Sequence, residues 1–165
     1  MSGSSSDVAT AVAQLLDAAT ATDATSLDGI LASMERARGR RIIVEDVDDL
    51  PAGVCGRWGR SPTQDVLQLR RGVLSRSWTL AHELGHMVLG HSGVPVVETM
   101  AAELSAAGLP LIEYMLNRTP HGDDDTDRRQ EAEAEAFAGL LTARLRQVSR
   151  SRSPGVQARL TDTLG

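Results

Sequence analysis

The chain has 165 residues, 41% of them hydrophobic and 2% aromatic, enough for one domain with a core of Leu, Val, Ile and Ala and too few for two full domains. All 17 basic residues are arginine, set against 22 acids; a net charge of −5 without a concentrated basic run argues against direct nucleic-acid binding. Cys55 is the one cysteine, which excludes an intrachain disulfide and fits a reducing compartment.

The opening MSGSSSDVATAVAQLL has neither the basic start nor the apolar run of a signal peptide. No stretch approaches the roughly 20 apolar residues of a membrane span, so a soluble, cytoplasmic protein with no membrane partner is expected. Residues 1–6 read as a flexible terminus. From Asp7 to about Thr20, Val8, Val12, Leu15 and Leu16 predict a first helix. A second is expected to be capped by Ser26, striped by Ile30, Leu31 and Met34, and stopped by Gly39. RRIIVEDV (40–47) and DVLQLRR (65–71) read as strands, with VCGRWGR (54–60) as a third, and these predict a small antiparallel sheet of about three strands. The stretch 65–71 is a candidate edge on which an extended substrate pairs, or an edge protected by Arg70 and Arg71.

SWTLAHELGHMVLG predicts the next helix, capped by Ser75 or Ser77 and ending near Gly90. Helices over about 95–107 and 109–117 follow, then the acidic loop 120–127 and a long helix from about 127 to 149. Asp127 and Gln130 offer a capping box at its start. The fold class is therefore α+β.

His82 and His86 stand four apart on the predicted helix, about 40° apart around its axis, so both imidazoles project from one face and suit one tetrahedral zinc. Glu83 falls about 100° round from His82, beside a metal rather than on it, where it can take a proton from water. Solvated surface residues would be the ordinary alternative. But Trp78, Ala81, Leu84, Gly85, Val88 and Leu89 make this helix apolar around most of its girth, and burying unsatisfied His and Glu there is costly.

A catalytic zinc needs a third protein ligand. His91 lies five residues after His86, not the six of HExxHxxGxxH, and reads instead as a helix-end histidine favourable to the dipole if charged. The last helix offers carboxylates. Against its apolar stripe of Ala134, Phe137, Ala138, Leu141 and Leu145, Glu131 falls about 60° from the centre, while Glu133 and Glu135 fall about 100° away on opposite sides. Glu131 is the favoured ligand, Glu133 the alternative, and Glu135 a candidate acceptor for a ligand histidine's free N–H. Acids at 123, 125 and 127 lack the Gly and Glu of a calcium loop.

HELGH (82–86), followed by EAEAEAFAGLL (131–141), resembles the ImmA/IrrE family of metallopeptidases, whose pattern pairs HExxH with E-x-E-A-N/D-x-F-A-x-x-L-L; the resemblance covers about 40–145. This chain has Glu135 where the pattern has Asn or Asp. Length and pattern predict a single domain over 7–150, with N-terminal helices at 7–39, a core at 40–150 and a loose tail at 151–165, and the resemblance implies that this domain is a gluzincin-like metallopeptidase with its catalytic core at 40–150. It also implies a Zn²⁺-dependent endopeptidase with His82, His86 and Glu131 as ligands and Glu83 as the catalytic base. Its expected substrate is a helix-turn-helix transcriptional repressor. His121, Tyr114 and His91 are the candidate donors to an oxyanion. The alternative is a zinc-containing module that binds and displaces a repressor without cutting it.

Overall fold

The structure, a computed structural model, describes residues 3–91, 94–95, 114–115 and 125–151. Helix α1 spans Gly3–Ala18, and α2 spans Leu27–Arg38 after a short 3-10 turn at Asp23–Thr25. Strands β1 (Arg41–Val47), β2 (Gly56–Arg60) and β3 (Gln64–Arg70) precede α3 (Arg76–Leu89). Two-residue strands β4 (Val94–Pro95) and β5 (Tyr114–Met115) and the long α4 (Asp125–Ser151) complete the described elements. The mixture of helices with one small sheet is α+β.

The first helix starts at Gly3, so the segment expected to be flexible through residue 6 is already helical from that point; serine costs little in a helix, and the hydroxyl of Thr10 donates back to the Ser6 carbonyl. Helix α2 begins and ends where its residues require. Ser26 Oγ accepts the Gly29 amide at 3.1 Å, and Gly39 takes the left-handed conformation at φ 60° that ends the helix without a Cβ penalty. Val8 and Val12 of α1 and Ile30, Leu31 and Met34 of α2 enter one core with Trp58, Leu67, Leu80, Leu84, Phe137 and Leu141.

The three expected strands form one small sheet, which is mixed rather than antiparallel, and the two-residue β5 and β4 extend it in the order β1-β3-β2-β5-β4. A tight turn at Ser61, whose N–H and hydroxyl both donate to the Gln64 carbonyl, makes β2 and β3 an antiparallel hairpin. Strand β1 then docks on the far side of β3, parallel to it. Consequently β3 lies between β1 and β2, buried on both faces, Val66 and Gln68 as well as Leu67 and Leu69, and offers no free edge to a substrate. Its arginines have other tasks. Arg70 donates to the carbonyls of Leu50, Pro51 and Val54, and Arg71 pairs with Asp48.

Arg40 clamps the hairpin turn: its guanidinium donates to the carbonyls of Ser61, Pro62 and Gln64 and to the buried carboxylate of Asp65, which also accepts from Trp58 Nε1 at 3.3 Å. The expected helices at 95–107 and 109–117 lie outside the described residues for most of their length; where the chain is described, at Pro95 and at Tyr114–Met115, it is strand. The last helix starts at Asp125, so Asp127 sits inside the first turn rather than in a capping box. His121 and the tail from 152 lie outside the described residues. Among the described residues no helix is long and apolar enough to cross a membrane.

Candidate metal centre

Helix α3 is held at both ends. Arg76 forms a two-pronged ion pair with Asp46 of β1, at 2.9 and 3.1 Å, and that hydrogen bond first of all holds the Asp46 carboxyl below its ordinary range. At the other end Gly90 turns left-handed at φ 67°, and both its N–H and that of His91 return to the His86 carbonyl. Nine consecutive residues of the helix, Thr79 to Met87, are buried. The helix can be so enclosed because two glycines admit its neighbours. A Cβ on Gly85 would meet the Phe137 ring of α4 at 3.1 Å, and one on Gly56 of β2 would lie 2.8 Å from both Glu83 Oε1 and Thr79 Cγ2.

The sequence stripe of α4 matches its buried face: Ala134, Phe137, Ala138, Leu141 and Leu145 all pack inward. That docking brings Glu131 to the two histidines. The Nε2 atoms of His82 and His86 lie 3.0 Å apart, Glu131 Oε2 is 3.5 Å from the first and Glu131 Oε1 is 3.5 Å from the second. Ligands about 2.0–2.1 Å from a tetrahedral zinc stand about 3.3–3.4 Å apart. All three separations are near that value, and His82, His86 and Glu131 form a group that can hold a metal ion. The donor set fits as well. Two imidazoles, 7% and 2% exposed, aim the same ring nitrogen at one point, and a carboxylate stands opposite to balance cationic charge there. Glu83, 5% exposed, is buried one residue along the helix from His82.

The remaining acids separate sharply. Glu133 stands apart from this group: its Oε2 lies 3.2 Å from His91 Nε2 and its Oε1 accepts from Arg129 Nε at 2.8 Å. Glu135, expected to serve a ligand histidine, is exposed on the other flank of α4. His91, a candidate oxyanion donor in the sequence, was not legible there as a partner of His86. Instead of a charged histidine capping the helix dipole it is buried, with Nδ1 2.9 Å from His86 Nδ1, and burial pushes its imidazole below the ordinary value against the upward pull of Glu133. The signal for it was the Gly90-His91 pair, since a glycine stop folds the following residue back over the last helical turn. Of the other oxyanion candidates, Tyr114 has its backbone in β5.

No model of a known protein family, no curated protein and no solved structure matches the chain.

Proposed function

We propose that the protein is a zinc-dependent endopeptidase, with His82, His86 and Glu131 holding the metal and Glu83 acting as general base. The observation that carries this reading is the convergence of two buried Nε2 atoms and one carboxylate at zinc-like separations beside a buried glutamate. Bound there, zinc supplies Lewis acidity, which acidifies water and polarises a peptide carbonyl. The remaining chemistry belongs to the chain. Glu83 takes the proton of the attacking water as its oxygen bonds to the carbonyl carbon, then delivers that proton to the amine as the C–N bond breaks.

Strand β2 runs beside the base: a Cβ on Gly56 would lie 2.8 Å from Glu83 Oε1. The proposed substrate is a helix-turn-helix repressor, a reading supported by the sequence resemblance.

The test is zinc content and cleavage in parallel. Wild type is expected to carry about one zinc per chain, Glu131→Ala to lose it with the fold retained, and Glu83→Gln to keep it while ceasing to cut a co-expressed repressor. A folded wild type that takes up no zinc would overturn the proposal. Regulation that survives in Glu83→Gln would transfer the function to binding without cleavage.

A further inference from the structure

Beyond the three ligands and the base, a chain of polar groups runs from His86 away from the metal position, buried at the two histidines and reaching the surface at Arg129: His86 Nδ1 to His91 Nδ1 at 2.9 Å, His91 Nε2 to Glu133 Oε2 at 3.2 Å, and Glu133 Oε1 to Arg129 Nε at 2.8 Å. Each contact holds one proton, and its direction can be worked out from the far end. The Arg129 N–H donates to Glu133, whose carboxylate accepts. His91 must therefore present N–H at Nε2, because a lone pair there would face a carboxylate oxygen. A neutral His91 protonated at Nε2 carries its lone pair at Nδ1, and this must accept from His86. His86 is then protonated at Nδ1; without a metal its Nε2 lone pair accepts from His82 Nε2 at 3.0 Å, and Glu131 Oε1, at 3.5 Å, is the more distant neighbour.

We infer that His91 and Glu133 are positioning residues that lock His86 in the tautomer able to bind a metal. The inference rests on reading His82, His86 and Glu131 as a zinc centre. Direct contact between Glu133 and a ligand histidine would have been the simpler arrangement. Here the Gly90 turn interposes a second imidazole, which passes the carboxylate's demand for a proton donor one ring further on. Outer hydrogen-bond partners of this kind orient the ligand ring and raise its basicity, and their loss typically lowers metal affinity about 10–100-fold.

The experiment compares wild type, His91→Phe, His91→Gln and Glu133→Ala by two readouts. Long-range proton–nitrogen NMR gives the His86 tautomer in metal-free protein, and chelator competition gives the zinc dissociation constant. Wild-type His86 is expected to carry its proton on Nδ1 before any zinc is added. His91→Phe and Glu133→Ala are expected to lose that preference and to bind zinc about 10–100-fold more weakly. His91→Gln, whose amide oxygen can accept from His86 while its NH₂ donates to Glu133, is expected to regain most of both; a residue needed only to fill space would not be rescued this way. His86 protonated on Nε2 in the wild type, unchanged zinc affinity in His91→Phe, or a His91→Gln no better than His91→Phe would each overturn the inference. Because the tautomer is read without metal, the two proposals fail separately. The expected tautomer without zinc uptake would overturn the metal reading and the role given to the pair, whereas zinc uptake indifferent to His91 would overturn the pair alone.

Discussion

Replacing Gly85 with alanine sets two effects of opposite sign against each other within α3. Helix propensity favours the change by about 1 kcal/mol, since glycine is the poorest helix former after proline. Packing opposes it. The new methyl would lie 3.1 Å from Phe137 Cδ1 and 3.2 Å from both its Cβ and Cγ, tighter than ordinary van der Waals contact at three atoms of one side chain. Phe137 is fully buried and has no solvent side to move toward, so the strain passes into the α3–α4 contact. Overpacking of this kind costs about 1–3 kcal/mol. Three simultaneous close contacts on an immobile ring put the cost in the upper part of that range, for a net loss of about 1–2 kcal/mol. In a chain of this size that is roughly 2–8 °C in Tm. Urea unfolding is the assay, with a lower midpoint at unchanged slope as the expected result. A midpoint equal to or above wild type would refute the reasoning, because it would mean that α3 and α4 yield freely where Gly85 meets Phe137. The same contact sits close to Glu131 along α4, so weaker zinc retention should accompany the loss of stability.

Gly56→Ala would press a methyl on Glu83 Oε1 and Thr79 Cγ2, both 2.8 Å away, without touching the ligands; zinc stoichiometry should hold while kcat/KM falls about 100-fold, as for a reacting group displaced by about 1 Å. Asp65→Ala removes a buried acceptor that pairs with Arg40 at 2.9 Å and with Trp58, and should cost about 3 kcal/mol in urea unfolding; a shift under a third of that would mean that the backbone carbonyls around Arg40 suffice. Arg76→Ala should raise the Asp46 titration midpoint followed by NMR, since the Arg76 hydrogen bond is the first cause of its low value. With a folded pKa below the unfolded one, Asp46 contributes stability above an ordinary aspartate pKa and loses it as pH falls through the lowered value; the variant should lack that acid-limb contribution.

Local chemistry made much of the fold legible. Ser26 and Gly39 bound α2 because one accepts a first-turn amide and the other turns left-handed, and both facts depend only on their own residue types. The stripe of α4 was legible because five apolar positions at steps of three and four leave a single buried face. Strand direction was not. The Ser61–Gln64 turn makes β2 and β3 antiparallel, but nothing near Arg41–Val47 says whether β1 docks on β2 or on β3. Docking on β3 made the sheet mixed and turned the expected substrate edge into an interior strand. Two-residue strands such as Tyr114–Met115 carry no period at all; their conformation comes from the ladder they join, which is why an apolar stretch around them read as helix.

The site divides along the same line. Two histidines four apart and the angle of Glu131 to the apolar stripe are properties of single helices, and the structure brings those three residues together. Which of Glu133 and Glu135 works with them is not such a property, because the helical wheel sets them at equal angles on opposite flanks. Proximity to Glu131 favours Glu135, one turn on and on the same flank, yet it is exposed and Glu133 carries the contact. The deciding element lies on the other helix. A left-handed Gly90 sends the chain back over His86 and puts His91 on the Glu133 flank. On that flank His86 Nδ1 faces His91, and His91 faces Glu133, an acid that is itself paired with Arg129, while Glu135 stands exposed on the other.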